Sequence, residues 1–227
     1  MPTIGGSLTS GEPIFTGGAF DQREDARFLG CRHPGLPLTT RQDVLSFETP
    51  PLAQDLAVIG EVFIELVVST DAPDTDFTAK LIDVYPPSDD YLTGFAMNIT
   101  DGIFRCRYRN GFNNPQLVTS EEPFTLRIEP FATANLFKAG HRIRLDISSS
   151  NFPKYDVNPN SGEPERSGRC PRSALNTVHL APQFRSRMLQ QTLPFAAFSV
   201  GGGSRCRNEA LIVGCDNCNR LRRLLTI

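Results

Sequence analysis

Hydrophobic and polar residues alternate along much of the chain with a period of two. The pattern is clearest over 142–147, where isoleucine or leucine takes every second position and charged residues take the others. Such alternation with β-branched residues predicts a half-buried strand. Lys138-Ala139-Gly140 before it predicts a tight turn in which Gly140 takes a positive φ. Phe152-Pro153 after it predicts a sharp end, because proline cannot donate to a β-ladder.

The same alternation predicts further strands with turn residues between them, giving seven or eight in total. They are Val44–Phe47, Val62–Val68, Phe77–Val84, Ala96–Ile99, Ile103–Arg109 and Phe124–Ile128. Asp101-Gly102 predicts a hairpin turn. The arginines at 105, 107 and 109 would then form a basic stripe on a solvated or inter-domain strand face. No amphipathic helix of useful length lies between the strands, which predicts an all-β fold: an antiparallel jelly-roll (galactose-binding-like) β-sandwich with a long irregular N-terminal segment.

The chain divides into three parts by composition. Glycine and proline interrupt any hydrophobic periodicity in residues 1–42. An irregular segment of this length is expected to pack on the sandwich or on another domain. Residues 43–179 carry the predicted sandwich. Residues 180–227 form an atypical basic tail with seven arginines against two acidic residues.

Charge and length exclude several classes of protein. Charged residues make up 21% of the 227 and the net charge is −2, which argues against a nucleic-acid or anionic-membrane partner. No apolar run reaches the roughly 20 residues of a membrane helix. The N-terminus lacks the basic start and apolar core of a signal peptide, so a cytoplasmic location is expected. The six cysteines are therefore expected to be reduced thiols.

No serine hydrolase site is visible in the sequence. The nucleophile elbow G-x-S-x-G is absent, and Ser148-Ser149-Ser150 is interpreted as the turn that ends a strand. The three histidines, at 33, 141 and 179, lie far apart with no acidic partner at an informative spacing. His141 is predicted to be a surface or turn residue. No catalytic residue is therefore assigned.

Metal and cofactor sites are not predicted either. Asp71, Asp74 and Asp76 depart from the order of a calcium-binding EF-hand loop and are interpreted as turn-capping residues. Cys215 and Cys218, with Cys206 upstream, resemble half of a zinc site, but no second pair has matching spacing. The glycines at 201–203 lack the lysine and helix of a phosphate-binding loop.

Several segments resemble a known family in sequence and in order. They are Thr3–Gly6, Gly18–Arg23, Ala72–Leu81, Asn98–Gly102, Phe137–Arg144 and Ser148–Asp156. Together they resemble the C-terminal domain of the CocE/NonD hydrolases, the acyl esterases related to cocaine esterase and Xaa-Pro dipeptidyl-peptidase. The likeness runs from about Pro2 to His179, and Asn176–His179 fits the segment before the family's last strand.

The resemblance implies a β jelly roll that packs on the α/β-hydrolase domain of a serine esterase or dipeptidyl-peptidase. The catalytic triad of that family belongs to the hydrolase domain, so the resemblance assigns no catalytic residue, metal or cofactor here. It implies that this domain stabilises the enzyme and helps close its substrate pocket. Within 1–42, Leu8, Phe15 and Phe20 are the candidates for the pocket contact, with packing on the sandwich as the equal alternative.

The likeness stops after His179, where the basic tail suggests a shifted reading frame, a truncated product (a fragment) or an unrelated appendage. Thr192–Val200 is the candidate replacement for the missing last strand, and Glu209–Val213 and Leu221–Leu225 are expected to be short helical or strand pieces. Two other functions stay open. One is a free-standing carbohydrate- or ligand-binding sandwich, which the absence of tryptophan disfavours. The other is an interaction protein that docks on a separate hydrolase chain, and self-association also stays open.

Overall fold

A computed structural model describes residues 20–26, 31–152, 154–164, 170–180, 186–194, 207–212 and 222–226. The described residues contain eleven strands and two short 3-10 turns, at Leu38–Thr40 and Cys106–Tyr108. The strands are β1 (Leu45–Glu48), β2 (Leu56–Thr70), β3 (Asp76–Tyr85), β4 (Phe95–Arg105), β5 (Phe124–Ile128), β6 (Thr133–Phe137), β7 (Arg142–Ser148), β8 (Leu175–His179), β9 (Arg187–Pro194), β10 (Arg207–Ile212) and β11 (Arg222–Thr226).

The strands form two antiparallel sheets. The small sheet has the order β1-β7-β3-β4. The large sheet has seven strands arranged around β2, which pairs with β5 and β6 along one edge and with β8 and β9 along the other; β10 and β11 lie outside β9 and β8. This arrangement confirms the predicted all-β sandwich. The jelly-roll and galactose-binding-like assignments stay predictions.

The two sheets enclose one hydrophobic core. Alternate residues of β2 (Val62, Ile64, Leu66 and Val68) are fully buried, as the alternation predicted. Phe77 and Leu81 from β3 and the isoleucines of β7 meet them from the small sheet. Burial of these side chains supplies the main stabilisation of the sandwich, about 1.5–3 kcal/mol for each large one.

The predicted hairpin at Asp101-Gly102 is wrong. Strand β4 runs straight through both residues, pairing with β3 from Phe95 to Arg105 with one irregularity beside Leu81. Two neighbouring residues explain why glycine occupies position 102, because a Cβ there would come within 3.1 Å of both Ile128 and Pro130. Close approach between sheets, rather than a turn, requires glycine at this position.

The predicted half-buried strand over 142–147 is buried on both faces. Arg144 and Asp146, on its polar face, are only 5% and 4% exposed. They lie beneath residues 20–26 and 31–44, here called the covering segment, whose Leu38 and Val44 line a small gap beside Asp146. The alternating pattern correctly separated the apolar face of this strand from its polar face. It did not indicate that the covering segment buries the polar face.

Three strands come from the tail. Strand β9 pairs with β2, β10 pairs with β9, and β11 pairs with β8. The candidate replacement strand Thr192–Val200 overlaps the end of β9, and its residues after Pro194 lie outside the described residues. The two other tail pieces, predicted as helix or strand, are strands where they overlap β10 and β11, and Val213 and Leu221 lie outside the described residues. Pairing along both edges removes the unpaired strand edge that loss of the last strand would leave.

Candidate functional site

The covering segment is joined to the edge of the small sheet by main-chain hydrogen bonds. Asn98 N donates to Phe20 O across 3.3 Å, and Gln22 N donates to Ala96 O across 3.0 Å. Asp21 adds a side-chain contact by accepting from Ala96 N at 3.0 Å. The chain therefore extends the sheet beyond β4 for three residues before it crosses the outer face.

A buried ionic cluster organises the covering segment itself. Glu24 accepts hydrogen bonds from the main-chain N–H groups of Arg32 and His33 and from Arg41 Nη1. Arg41 also pairs with Asp43 through Nε and Nη2, at 2.8 and 2.6 Å. Burial raises the pKa of Glu24, but these donors outweigh it and bring the pKa to about 2. The segment is thus a folded element held by charge-assisted bonds.

A buried lysine lies under the covering segment. Lys80 on β3 is 4% exposed, and its Nζ donates to Gln22 Oε1 across 3.2 Å. Burial lowers the pKa of Lys80 to about 8, although the nearby carboxylates of Asp101 and Asp146 oppose that shift. A cation in this position is costly because it loses its hydration, and the surrounding carboxylates compensate only in part.

Two of the described histidines, His141 and His179, have polar side-chain partners that their spacing in the sequence did not indicate. His141 Nδ1 lies 2.8 Å from Asp83 Oδ1, and its ring packs on Tyr85 with 4.2 Å between centroids. His141 is 9% exposed, so it is not a surface residue. It does belong to the predicted turn, because its main-chain N–H donates to Lys138 O across 3.0 Å. Its partner is 58 residues away in the chain and adjacent only through the pairing of β3 with β7.

A serine–histidine contact also occurs, between Ser69 Oγ and His179 Nε2 at 3.0 Å. A serine nucleophile needs its histidine base to be oriented by a third group, usually a carboxylate. Asp83 pairs with the other buried histidine, His141. Ser69 and His179 are 9% and 4% exposed, which keeps a substrate away from the hydroxyl. The contact ties β2 to β8.

The predicted basic stripe is an ionic network at one end of the sandwich. Arg105 pairs with Asp76 through Nε and Nη2, and Arg107 Nε pairs with Asp74 Oδ2 at 2.7 Å. Asn158 Nδ2 bridges the two carboxylates at 3.1 and 2.8 Å. Both aspartates are almost fully buried. They accept from side chains of distant segments, so turn capping describes only part of their role.

A cavity of about 500 Å³ opens beside this network. Arg105, Arg107 and Asn158, which belong to the network, are among its lining residues. Its other described lining residues are Phe152, Asp156, Val157, Pro159, Glu163, Pro164 and Pro171. The volume falls within the range of small-molecule sites.

Of the three residues predicted to contact the substrate pocket, only Phe20 lies among the described residues. Phe20 lies at the edge of β4, at the start of the covering segment, and is partly exposed. Leu8 and Phe15 lie outside the described residues, as do Cys206, Cys215 and Cys218. The described cysteines, at 31, 106 and 170, are free thiols.

Neither a metal cluster nor a membrane-spanning helix occurs among the described residues. No group of three or more His, Cys, Asp or Glu side chains there is arranged to hold a metal ion. None of the helices in that part of the chain has the length and apolar character needed to cross a membrane.

Residues 10–189 match the family model described as the X-Pro dipeptidyl-peptidase C-terminal non-catalytic domain. A curated relative is cocaine esterase from Rhodococcus sp. (strain MB1 Bresler), which is 38% identical over 195 residues, covering 83% of this chain and 30% of the esterase. The chain therefore spans less than a third of the length of that relative.

Solved structures give the same picture. An aminopeptidase from a marine sediment archaeon (Thaumarchaeota archaeon) is 30% identical with a TM-score of 0.64, covering 68% of this chain and 26% of the aminopeptidase. An alpha-amino acid ester hydrolase is 32% identical with a TM-score of 0.60, covering 71% of this chain and 26% of the hydrolase. In both proteins the matched part is about a quarter of a larger chain.

Proposed function

This chain belongs to the family of X-Pro dipeptidyl-peptidase C-terminal non-catalytic domains, and from that premise we propose that it is the β-sandwich domain of an α/β-hydrolase-type serine hydrolase. The enzyme would be an acyl esterase or Xaa-Pro dipeptidyl-peptidase-like, and this domain would stabilise it. The observation that carries the proposal is the docking of the covering segment. Its buried ionic bonds and its main-chain pairing with β4 fix the position of Phe20 on the sandwich.

The segment before and including Phe20 is the proposed contact with the substrate pocket. Phe20 is anchored through its main chain and is partly exposed. Leu8 and Phe15 would extend an apolar contact from this anchor toward the hydrolase domain. An apolar segment of this kind can exclude water from a neighbouring active site, which strengthens electrostatic interactions inside it.

Catalysis is assigned to the hydrolase domain, whether that domain lies in the same chain or in a separate one. A serine nucleophile, its histidine and the orienting carboxylate must lie within hydrogen-bond reach of one another. Here Ser69 and the Asp83–His141 pair belong to separate buried contacts. This observation supports assigning catalysis to another domain.

The first test measures chemistry by the purified chain alone. We expect no hydrolysis of p-nitrophenyl acetate or of a Xaa-Pro anilide, and no labelling by a fluorophosphonate probe. Stoichiometric labelling of one serine would contradict the assignment, because a nucleophile would then be present in this chain.

The second test measures stabilisation of a catalytic partner. Cocaine esterase lacking its matched C-terminal part is combined with this chain, both as a mixture and as a fusion that replaces the missing part. We expect a higher Tm and restored esterase activity in the fusion, and a loss of activity on changing Phe20→Asp. Phe112→Asp is the matched control, because Phe112 is 75% exposed on a loop distant from the covering segment in sequence. A folded fusion in which Phe20→Asp and Phe112→Asp behave alike would contradict the pocket contact.

A further inference from the structure

The cavity beside Arg107 is built from three kinds of surface. Its lining includes the basic Arg105 and Arg107, the acidic Asp156 and Glu163, and a set of apolar residues. The apolar wall residues are Phe152, Val157, Pro159, Pro164 and Pro171. Proline and phenylalanine rings have few rotatable bonds, so they form walls at a low cost in conformational entropy.

Arg107, in the lining of the cavity, is held in place by several hydrogen bonds. Arg107 N and Nε both donate to Asp74, at 2.9 and 2.7 Å, and Nη2 donates to Glu163 O at 2.8 Å. No hydrogen bond of Arg107 Nη1 is found among the described residues. A ligand that accepts from Nη1 would therefore meet a donor that is already ordered, and would avoid the usual entropic cost of fixing an arginine.

The cavity lining also includes Asp156, whose carboxylate carries a charge opposite to that of Arg107. Asp156 is exposed and makes no hydrogen bond or ion pair among the described residues. Its carboxylate lies on the lining of the same cavity as Arg107. The cavity therefore presents one available cationic donor and one available anionic acceptor.

The charge balance disfavours ligands of a single sign. Asp76 and Asp74 pair with Arg105 and Arg107, so an anion such as phosphate gains little net attraction and is repelled by the carboxylate of Asp156. A simple cation is attracted by Asp156 but repelled by the two guanidinium groups. A ligand with both charges and an apolar body can contact the arginines, the Asp156 carboxylate and the apolar lining residues at once.

We propose that this cavity binds a small zwitterion with an apolar body, a free amino acid or a dipeptide. Its carboxylate accepts from Arg107 Nη1, its ammonium group donates to Asp156, and its side chain packs on the wall of proline and phenylalanine rings. This site is separate from the contact proposed for Phe20 and does not depend on a hydrolase partner.

The test is calorimetric titration of the whole chain with phenylalanine and with the dipeptide Leu-Phe. We expect saturable binding that weakens about tenfold or more when the dipeptide is N-acetylated, and by a similar factor when its carboxyl group is amidated. Each blocked form removes one charged contact, and a tenfold change in Kd corresponds to about 1.4 kcal/mol. Inorganic phosphate, the purely anionic probe, is expected to give no saturable heat.

Two variants assign the binding to this cavity. Asp156→Asn should weaken Leu-Phe about tenfold while leaving the N-acetylated dipeptide unaffected, and Val157→Trp should fill the cavity and abolish binding. Asp89→Asn, an exposed aspartate on the β3–β4 loop, is the matched control and should bind as the unchanged chain does. Thermal melts of all three establish that they are folded.

Three outcomes would overturn the proposal. They are the absence of saturable binding by either zwitterion, equal binding of the free and N-acetylated dipeptides, and unchanged binding by folded Asp156→Asn. Tighter binding of phosphate than of Leu-Phe would replace the zwitterion site with an anion site.

Discussion

Lys80 and Gln22 meet under the covering segment, where Lys80 Nζ donates to Gln22 Oε1 across 3.2 Å. Lys80 belongs to an inner strand of the small sheet, whereas Gln22 lies in the segment that pairs with the edge of β4. This contact joins the sheet to its cover 58 residues away in sequence. The Lys80 ammonium group is also buried there, and its burial should make the stability of the protein depend on pH.

The stability of the protein should rise with pH through the titration of Lys80. Its pKa is about 8 in the folded protein and 10.5 for a solvated lysine, so the unfolded chain binds more protons between these values. Folding is therefore favoured as pH rises from 8 to 10.5, by on the order of 3 kcal/mol from this group. Lys80→Met should remove this slope in urea unfolding measured at several pH values. Exposed Lys138→Met should keep it, and equal slopes in all three proteins would contradict the assignment.

Glu24 should stabilise the covering segment at neutral pH and lose that effect in acid. Its pKa falls from 4.5 to about 2, so its contribution is complete above pH 4.5 and disappears as pH falls through about 2. We expect Glu24→Gln to cost about 2 kcal/mol at pH 7 and nothing near pH 2. Denaturant unfolding at both pH values measures this difference. Exposed Glu121→Gln serves as the control, and a cost that does not depend on pH would rule out the ionic explanation.

Gly102 should not tolerate even a methyl group. An added Cβ would come within 3.1 Å of Pro130 Cα and N, main-chain atoms that cannot rotate away as a side-chain end can. Gly102→Ala is expected to destabilise the fold by about 1–3 kcal/mol, the range seen for overpacking. Thermal unfolding would measure it, with exposed Thr119→Ala for comparison. If the two variants melt together, the contact between the sheets is looser than the distances indicate.

Asn158 should be important for the ionic network beneath the cavity. Its Nδ2 bridges Asp74 and Asp76, and its removal leaves two buried carboxylates facing each other with fewer donors. Asn158→Ala is expected to cost about 2–3 kcal/mol, because buried acceptors that lose a donor are expensive. Urea unfolding measures the cost against exposed Asn113→Ala. A variant as stable as this control would mean that the two arginines alone satisfy the aspartates.

The alternation of hydrophobic and polar residues predicted several strands correctly. Val62–Val68 and Phe124–Ile128 lie within β2 and β5, and Gly140 takes the positive φ expected for its turn. The alternation failed at Asp101-Gly102, because a turn-forming dipeptide can also sit inside a strand when a neighbour approaches closely. It missed β6, whose short sequence carries no clear alternation.

The candidate site was harder to predict than the fold. Phe20 was selected as a residue of an irregular segment, but nothing in the sequence indicated that its main chain pairs with β4. The partners of His141 and Lys80 are likewise distant in sequence. The arginines at 105 and 107 were interpreted as a stripe on a solvated or inter-domain face, because their partners are distant in sequence. Asp76 begins β3 and Asp74 precedes it.

The sequence by itself determined the strand periodicity, the apolar face of each central strand and, through its motifs, the family. These features are local, because side chains in a strand alternate between two faces whatever lies opposite. Only the tertiary structure decided what covers the polar faces, which charges become buried, and how Arg107 and Asp156 come to line one cavity. These depend on segments far apart in the chain, and burial and pairing of charges arise only when those segments pack together.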